Sequence, residues 1–377
     1  MLKDVICFTI GDSNKASTWS GIPFFFTTSL EEKGVNVYRV NLAPPKWLTF
    51  LYMSVISKVY SLCFHKSFRS IYNTIIYRGW ANSVIKKKSR LFPSSQLSIF
   101  FSYNFVDISG SRPSVLLCDW NLQYYIDKRL NRKPTFLERR LIMNQNAIMN
   151  KAALIISLFP QCARYMEQNS SIKKVEYLKS NVVNNYCAEP DSQIILKKKQ
   201  AVNILFIGRE HYLEGYNILV KSFEQLCDDV KSCRLNVIGL SMDDVVLDNG
   251  GKICHYGYLR KENNEECQLY YKLLSEATLV VNVNPQWAGY SSIIEAMYYF
   301  TPIIVSSFDT FVEEFGRELY CGYYCDDQEQ LVSLIKSVLF HPDYENLCYN
   351  SHKLVENHTW TNYIDKFMEI VTRDFDL

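Results

Sequence analysis

A chain of 377 residues, 48% hydrophobic and 21% charged, is too long for one ordinary core and too apolar for a disordered polymer, so it fits two globular domains. Its formal net charge of +2 hides an asymmetry: from Lys33 to Val106 there are eleven Lys and Arg and no Asp or Glu, while the remainder carries 30 basic and 39 acidic residues. Twelve cysteines without a CxxC pair favour free thiols in a reducing compartment over a disulfide frame or a metal site, and no run of 18 uncharged apolar residues offers a spanning helix.

Lys3 and Asp4 precede a short apolar run with no cleavage site after it, which argues against a signal peptide. Val5–Ile10 reads as a strand, Ile22–Gly34 as a helix with a glycine stop, and Val35–Leu42 as an alternating strand. After Ala43-Pro44-Pro45, Trp47–His65 is a greasy helix with a narrow polar stripe at Ser54, Ser57, Lys58, Ser61 and His65. It suits either core packing, with the cations in water, or an anionic membrane surface. Ser98–Ser102, Ser114–Trp120 and Leu154–Leu158 read as buried parallel strands. A helical stretch is expected over Leu137–Ala153, with Glu138 and Arg139 on its solvated face.

The charged stretch Lys197–Gln200 is the expected linker. Beyond it, Val202–Gly208, Cys233–Leu240, Ala277–Val283 and Thr301–Ser307 are apolar runs separated by helix-length segments, the pattern of a parallel sheet covered on both faces. The expected fold is therefore α/β with two Rossmann-like domains, whose ligands bind at the carboxyl ends of the strands.

The most informative stretch is NPQWAGYSSIIEAMYYFTPIIVSS, Asn284–Ser307. A strand ends, a loop with Pro285 and Gly289 follows, and a helix opens near Ser291 or Ser292, where free N–H groups suit a phosphate. Glu295, about one turn further in, can accept two vicinal hydroxyls or simply complement the helix dipole. This stretch resembles the signature of glycosyltransferase family 4 through Pro285, Gly289, Tyr290, Glu295-Ala296-Met297 and Pro302-Ile303-Ile304. The resemblance implies that Glu295 binds the donor ribose. The first acid of the family's Glu-x7-Glu pair falls at Trp287, or near Gln286 with a gap, and is missing.

Phe206–Phe223 is similar to the family's first strand–helix turn, with Gly208 for the turn and Arg209 to chelate a pyrophosphate. The family's lysine there is Glu214, and His211 is a possible replacement donor. Cys254–Pro285 is similar to the family's Gly-x-Leu segment, implying that Gly257, Tyr258 and Leu259 grip the nucleobase edge. In the first half the resemblance is looser. Gly11–Pro23 is the first strand–helix loop, with Ser20 and Gly21 at the helix start. Asp119 lies where relatives point a His or Asp at the donor sugar, and Trp120 fits either a sugar platform or core.

The resemblance thus implies a GT-B fold, two Rossmann-like domains facing across a cleft. Residues 1–190 would form the acceptor-side domain; its basic insert at 44–95, read from the charge pattern and not from the resemblance, faces either a membrane or water. Residues 200–355 bind the nucleotide sugar, and a C-terminal helix, 356–377, returns to the first domain. It further implies a retaining, metal-independent transferase using no cofactor, with Asp119, Arg209 and Glu295 as catalytic residues. Gly21, Gly208, Gly257, Tyr258, Leu259, Tyr290, Ser291, Ser292 and Glu295 would hold a UDP- or GDP-type donor. The acceptor would be a glycan or polyprenyl-linked glycan for a bacterial capsule or O-antigen, met in the cytoplasm or on the inner face of the plasma membrane. No nucleic-acid motif accompanies the basic segment. An epimerase, an inverting transferase and a catalytically inactive glycan- or partner-binding module of the same fold remain open.

Overall fold

Short apolar runs bounded by turn residues become strands because their side chains are covered on both faces by helices. The computed structural model describes residues 2–56, 58, 71–169, 172, 175–178, 182–187, 189–230, 232–241, 251–284 and 290–377. Two units result: Met1–Ser180 with Tyr363–Leu377, and Asn181–Asn362.

The first unit holds β1 (Asp4–Thr9), β2 (Asn36–Asn41), β3 (Leu97–Phe100), β4 (Ser114–Cys118), β5 (Leu154–Ser157) and β6 (Val175–Tyr177). Among the described residues they form one parallel sheet in the order β2-β1-β3-β4-β5-β6. Phe8 of β1 lies between Val40 and Phe100 in register, and its ring stacks on Phe100 at 4.6 Å. The C-terminal helix Trp360–Phe375 belongs largely to this unit. Its Phe367 and Tyr363 rings meet Phe26 edge-on at 5.0 and 6.2 Å, Lys33 pairs with Asp365, and Arg373 reaches Glu176. A buried Phe contributes about 1.5–3 kcal/mol, so this packing fastens the helix far more than its exposed ion pairs do.

The helix after Pro45 spans Lys46–Leu51 and passes into a wider helical turn, Tyr52–Ile56; most of the expected helix beyond Ile56 lies outside the described residues. Leu48 and Tyr52 enter the core, while Trp47, Phe50 and Met53 remain 58%, 73% and 59% exposed. Of the expected polar stripe, Ser57, Ser61 and His65 lie outside the described residues. Glu138 is not merely a solvated helix residue: it completes a capping box with Thr135 and receives Arg132, which together hold its carboxyl at about 2.

The second unit holds β7 (Val202–Ile207), β8 (Cys233–Ile238), β9 (Ile253–His255), β10 (Leu279–Asn282), β11 (Ile303–Val305) and β12 (Gly322–Tyr324). They too form a parallel sheet, ordered β12-β11-β10-β7-β8-β9. The division between units falls at 180–181, ahead of the expected linker. Lys198 explains why Lys197–Gln200 is no linker. It ends the helix Ile194–Lys198, is fully buried, and donates to Leu274 O, Ala277 O and Thr301 Oγ1, each at 2.9 Å. The ammonium thereby satisfies carbonyls at the end of the helix Asn264–Glu276, where a cation also opposes the helix dipole.

Burial pushes the Lys198 ammonium down to about 7. An unfolded lysine keeps its proton to about 10.4, so the unfolded chain binds more protons than the fold between those values. The stability of the wild type relative to Lys198→Met therefore rises as pH goes from 7 to 10, read from urea unfolding midpoints. At pH 7 the substitution, which strands three acceptors, is expected to cost about 2–4 kcal/mol.

Candidate functional site

The order β9-β8-β7-β10-β11-β12 reverses chain direction of winding between β7 and β10, and in such sheets the crevice outside the carboxyl ends of those two strands takes the ligand. Asn282, buried at the end of β10, donates across this point to Ile207 O at 3.4 Å. Three glycines shape the rim. Gly208 N donates to Ile238 O at 3.0 Å and Gly239 N to Gly257 O at 2.7 Å, so the turns after β7, β8 and β9 are bonded in series. Gly239 has φ +102, and a Cβ there would lie 2.3 Å from Gly208 O; only glycine lets these turns approach.

Arg209 leaves this rim exposed, its guanidinium 4.0 Å from the ring centroid of Tyr258. Tyr258 is itself 55% exposed, its neighbour in sequence Leu259 is buried, and Gly257 has φ +61 with open space where a side chain would be. Four of the expected residues, Gly208, Arg209, Gly257 and Tyr258, are thus brought together. His211 and Glu214 are exposed nearby, at the start of the helix Leu213–Asp229.

Glu295 lies about one turn into its helix, with its carboxylate enclosed by side chains of the same unit. The helix starts at Tyr290, so Ser291 and Ser292 lie inside its first turn and Glu295 is its sixth residue, only 4% exposed. Tyr270 OH donates to Oε2 at 2.7 Å, and Tyr271 OH and Lys261 Nζ donate to Oε1 at 3.1 and 2.5 Å. Lys261 Nζ also lies 4.2 Å from the Tyr270 ring centroid. Burial, then the Glu295 charge, drives both phenols well above the usual tyrosine range. A ribose diol would reach this carboxylate only by displacing one of these donors. Tyr290 packs its ring edge-on against Phe308 and Phe311, at 5.8 and 5.3 Å. Pro285, Gln286, Trp287 and Gly289 lie outside the described residues.

In the first unit Gly21, φ +84, caps the helix Ile22–Glu32 after two residues, Trp19 and Ser20, that also have positive φ. Asp119 follows β4. Its Oδ1 accepts from Trp120 N at 2.8 Å and Cys118 Sγ at 3.2 Å. It lines a pocket of about 200 Å³ with Arg78, Asn104, Trp120, Tyr125 and Gln145. Trp120 is half-buried, stacked on Phe159 and Tyr125 at 5.6 and 6.0 Å, so it is both wall and packing. A hollow of about 840 Å³ in the second unit opens at the amino ends of its strands, by Asn203, Arg234 and Lys252, away from the ligand edge. Sequence reasoning missed Arg78, Gly239, Lys261, Tyr270 and Tyr271. Only Gly239, directly after an apolar run, carried a local signal.

No family model matches the sequence, and no curated protein matches it. Solved structures do. Sucrose-phosphate synthase from Thermosynechococcus elongatus superposes with a TM-score of 0.67 at 14% identity, covering 99% of both chains. Anabaena Alr3699/HepE in complex with UDP and glucose gives 0.61 at 12% identity, covering 99% of this chain and 100% of that one. A UDP-forming α,α-trehalose-phosphate synthase from Burkholderia xenovorans gives 0.65 at 11% identity, covering 98% of both. These likenesses, with the two six-stranded parallel sheets, establish the two-domain GT-B fold.

Removing one partner of a buried ion pair strands the other, at a cost of about 3–5 kcal/mol. Glu295→Ala is therefore expected to destabilise the second unit by roughly that amount, and the double variant Glu295→Ala/Lys261→Met by less. Denaturant midpoints of the two variants and Lys261→Met check it. Equal costs for the single and double Glu295 variants would contradict the coupling.

Proposed function

We propose that this chain is a glycosyltransferase that moves a sugar from a nucleotide diphosphate, bound at the β7–β10 crevice, to an acceptor bound by the first unit. The observation that carries the reading is Arg209. It is exposed at the mouth of the crevice, spread over Tyr258, with no acidic partner among the described residues. A planar guanidinium in that state suits a diphosphate bidentately. Gly257, Tyr258 and Leu259 take the base, and the first turn at Ser291–Ser292 adds N–H donors. The ribose diol exchanges with Lys261 at Glu295, which frees that ammonium for the diphosphate in place of the lysine missing at 214.

The resemblance to family 4 supports retention of configuration. The bond from the anomeric carbon to the diphosphate oxygen breaks, the bond to the acceptor oxygen forms on the same face, and the acceptor proton passes to the leaving diphosphate. The protein's part is positioning and stabilising that leaving group. UDP is the first donor to test, since several structures of like fold were solved with it. GDP follows. A lipid-linked bacterial surface glycan is the proposed acceptor. An inactive binding module is the second reading, favoured by Glu214 and by the absence of an acid at 286–287.

Thermal shift with UDP, GDP, CMP, ADP and dTDP tests the donor site. A nucleotide at tenfold its Kd should stabilise by about 1.4 kcal/mol, roughly 3–5 °C. Arg209→Ala, exposed and harmless to packing, should lose it. Absence of any shift at millimolar nucleotide would sink the proposal. Binding without turnover of any nucleotide sugar would favour the inactive module.

The membrane part of the proposal rests on Trp47, Phe50 and Met53, exposed on an acid-free segment beside Lys46, with Ile75 also 85% exposed. Among the described residues no helix is long and apolar enough to cross a membrane. Each cation near an anionic leaflet contributes about 1 kcal/mol and a buried Phe about 1.5–3. Lys46→Ser/Phe50→Ser should thus weaken sedimentation with phosphatidylserine vesicles at least tenfold. Equal binding of wild type and variant would remove this face from the account.

A further inference from the structure

Thr74 caps the helix Ile75–Leu91 by accepting from Tyr77 N, which puts Arg78 in the first turn. That is an unfavourable end of a helix for a cation, because the unpaired N–H groups there already carry partial positive charge. Its guanidinium is half-buried, and Nε is buried with no hydrogen-bond partner. Burial pulls its pKa down, with no neighbouring acid acting to restore it. The chain itself supplies no acid between Lys33 and Val106, and among the described residues none pairs with Arg78. A cation left in this state lowers stability unless something outside the fold completes it.

The pocket it lines is stiff. Gln145 donates through Nε2 to Asn104 Oδ1 at 2.9 Å and accepts Leu122 N through Oε1 at 2.7 Å, and buried Asn121 caps the next turn by accepting Tyr124 N at 2.8 Å. The amides are committed to holding the wall. Two charges remain open: Arg78, and Oδ2 of Asp119, whose other oxygen takes Trp120 N and Cys118 Sγ. They line the same space of about 200 Å³ without forming an ion pair. That volume is below the range for a drug-sized ligand, roughly 300–1,000 Å³, and suits one ring rather than an oligosaccharide.

We infer that this pocket takes a single sugar ring bearing an oxyanion, carboxylate or phosphate, with Arg78 holding the oxyanion and Asp119 accepting from a ring hydroxyl. Calling that ring the end sugar of the acceptor glycan rests on the transferase reading; its binding does not. Phosphate and carboxylate share the bidentate geometry that a guanidinium fits, and an Arg with no internal partner gains the whole of that interaction from the ligand.

The test is titration calorimetry on the full chain with glucuronate, glucose 6-phosphate, glucose and inorganic phosphate. At least one charged sugar should bind about tenfold tighter than glucose, and which one distinguishes carboxylate from phosphate. Arg78→Gln should reduce it to the glucose level, Arg78→Lys should keep part of the preference, and Asp119→Asn should weaken sugars but not inorganic phosphate. If Arg78→Gln melts early, Arg78→Lys alone still decides, because a structural role would leave the charged-to-neutral ratio unchanged. Equal binding of glucose and the charged sugars, or a ratio unmoved by either variant, overturns the inference. Nucleotide shifts, which report the second unit, separate the two claims: charged sugar bound without nucleotide sinks the transferase, and the reverse sinks only this pocket.

Discussion

A carboxylate inside a protein has to be met by donors, and the second unit is arranged around the way Glu295 is met. Its two oxygens draw Tyr270 and Tyr271 from one helix and Lys261 from the loop after β9. The same Tyr271 and Lys261 bind Asn184 O, Tyr186 N donates to Tyr271 OH, and Trp360 Nε1 donates to Asn184 Oδ1. One buried charge thereby ties together two helices, the loop after β9, and the segments near both ends of the unit. Deleting any single arm leaves a polar group stranded in a low dielectric, so the arms are interdependent rather than additive.

The architecture was legible wherever an apolar run exceeded four residues. β1, β2, β7 and β8 fall within a residue or two of where alternation and turn residues place them. β6, β9 and β12 were not, because three residues carry no period and these strands are defined only by pairing with a neighbour at an edge. The site divides the same way. Gly208, Arg209, Gly257 and Tyr258 follow strand ends directly and could be placed by counting. Lys261 and Tyr270 sit on segments whose composition is ordinary, and what distinguishes them is a carboxylate 25–34 positions away in sequence. Arg78 was visible as one of eleven cations, but nothing local separates it from Lys86 or Lys87, which face water.

Lys198, Lys261 and Arg78 show the same cost answered in three ways. Lys198 is answered by three neutral acceptors, Lys261 by a carboxylate and aromatic faces, and Arg78 by nothing in the described chain. Position alone separates the roles. The first two sit where closure holds helices together, and the third lines open space at the carboxyl end of a sheet, where rigidity of the surrounding amides is of use only to something that arrives.

The C-terminal helix carries a consequence for how the molecule is made. Phe26 is buried against Phe367 and Tyr363, so the first unit is unfinished until residues more than 330 positions later emerge. At about 5–20 residues per second, synthesis of the intervening 181–362 segment takes roughly 10–40 s. During that interval the nascent first unit shows a bare aromatic face, while the second has all its own strands and can fold as it appears. Completion runs against the order of synthesis, and for those seconds Phe26 is a natural target for chaperones.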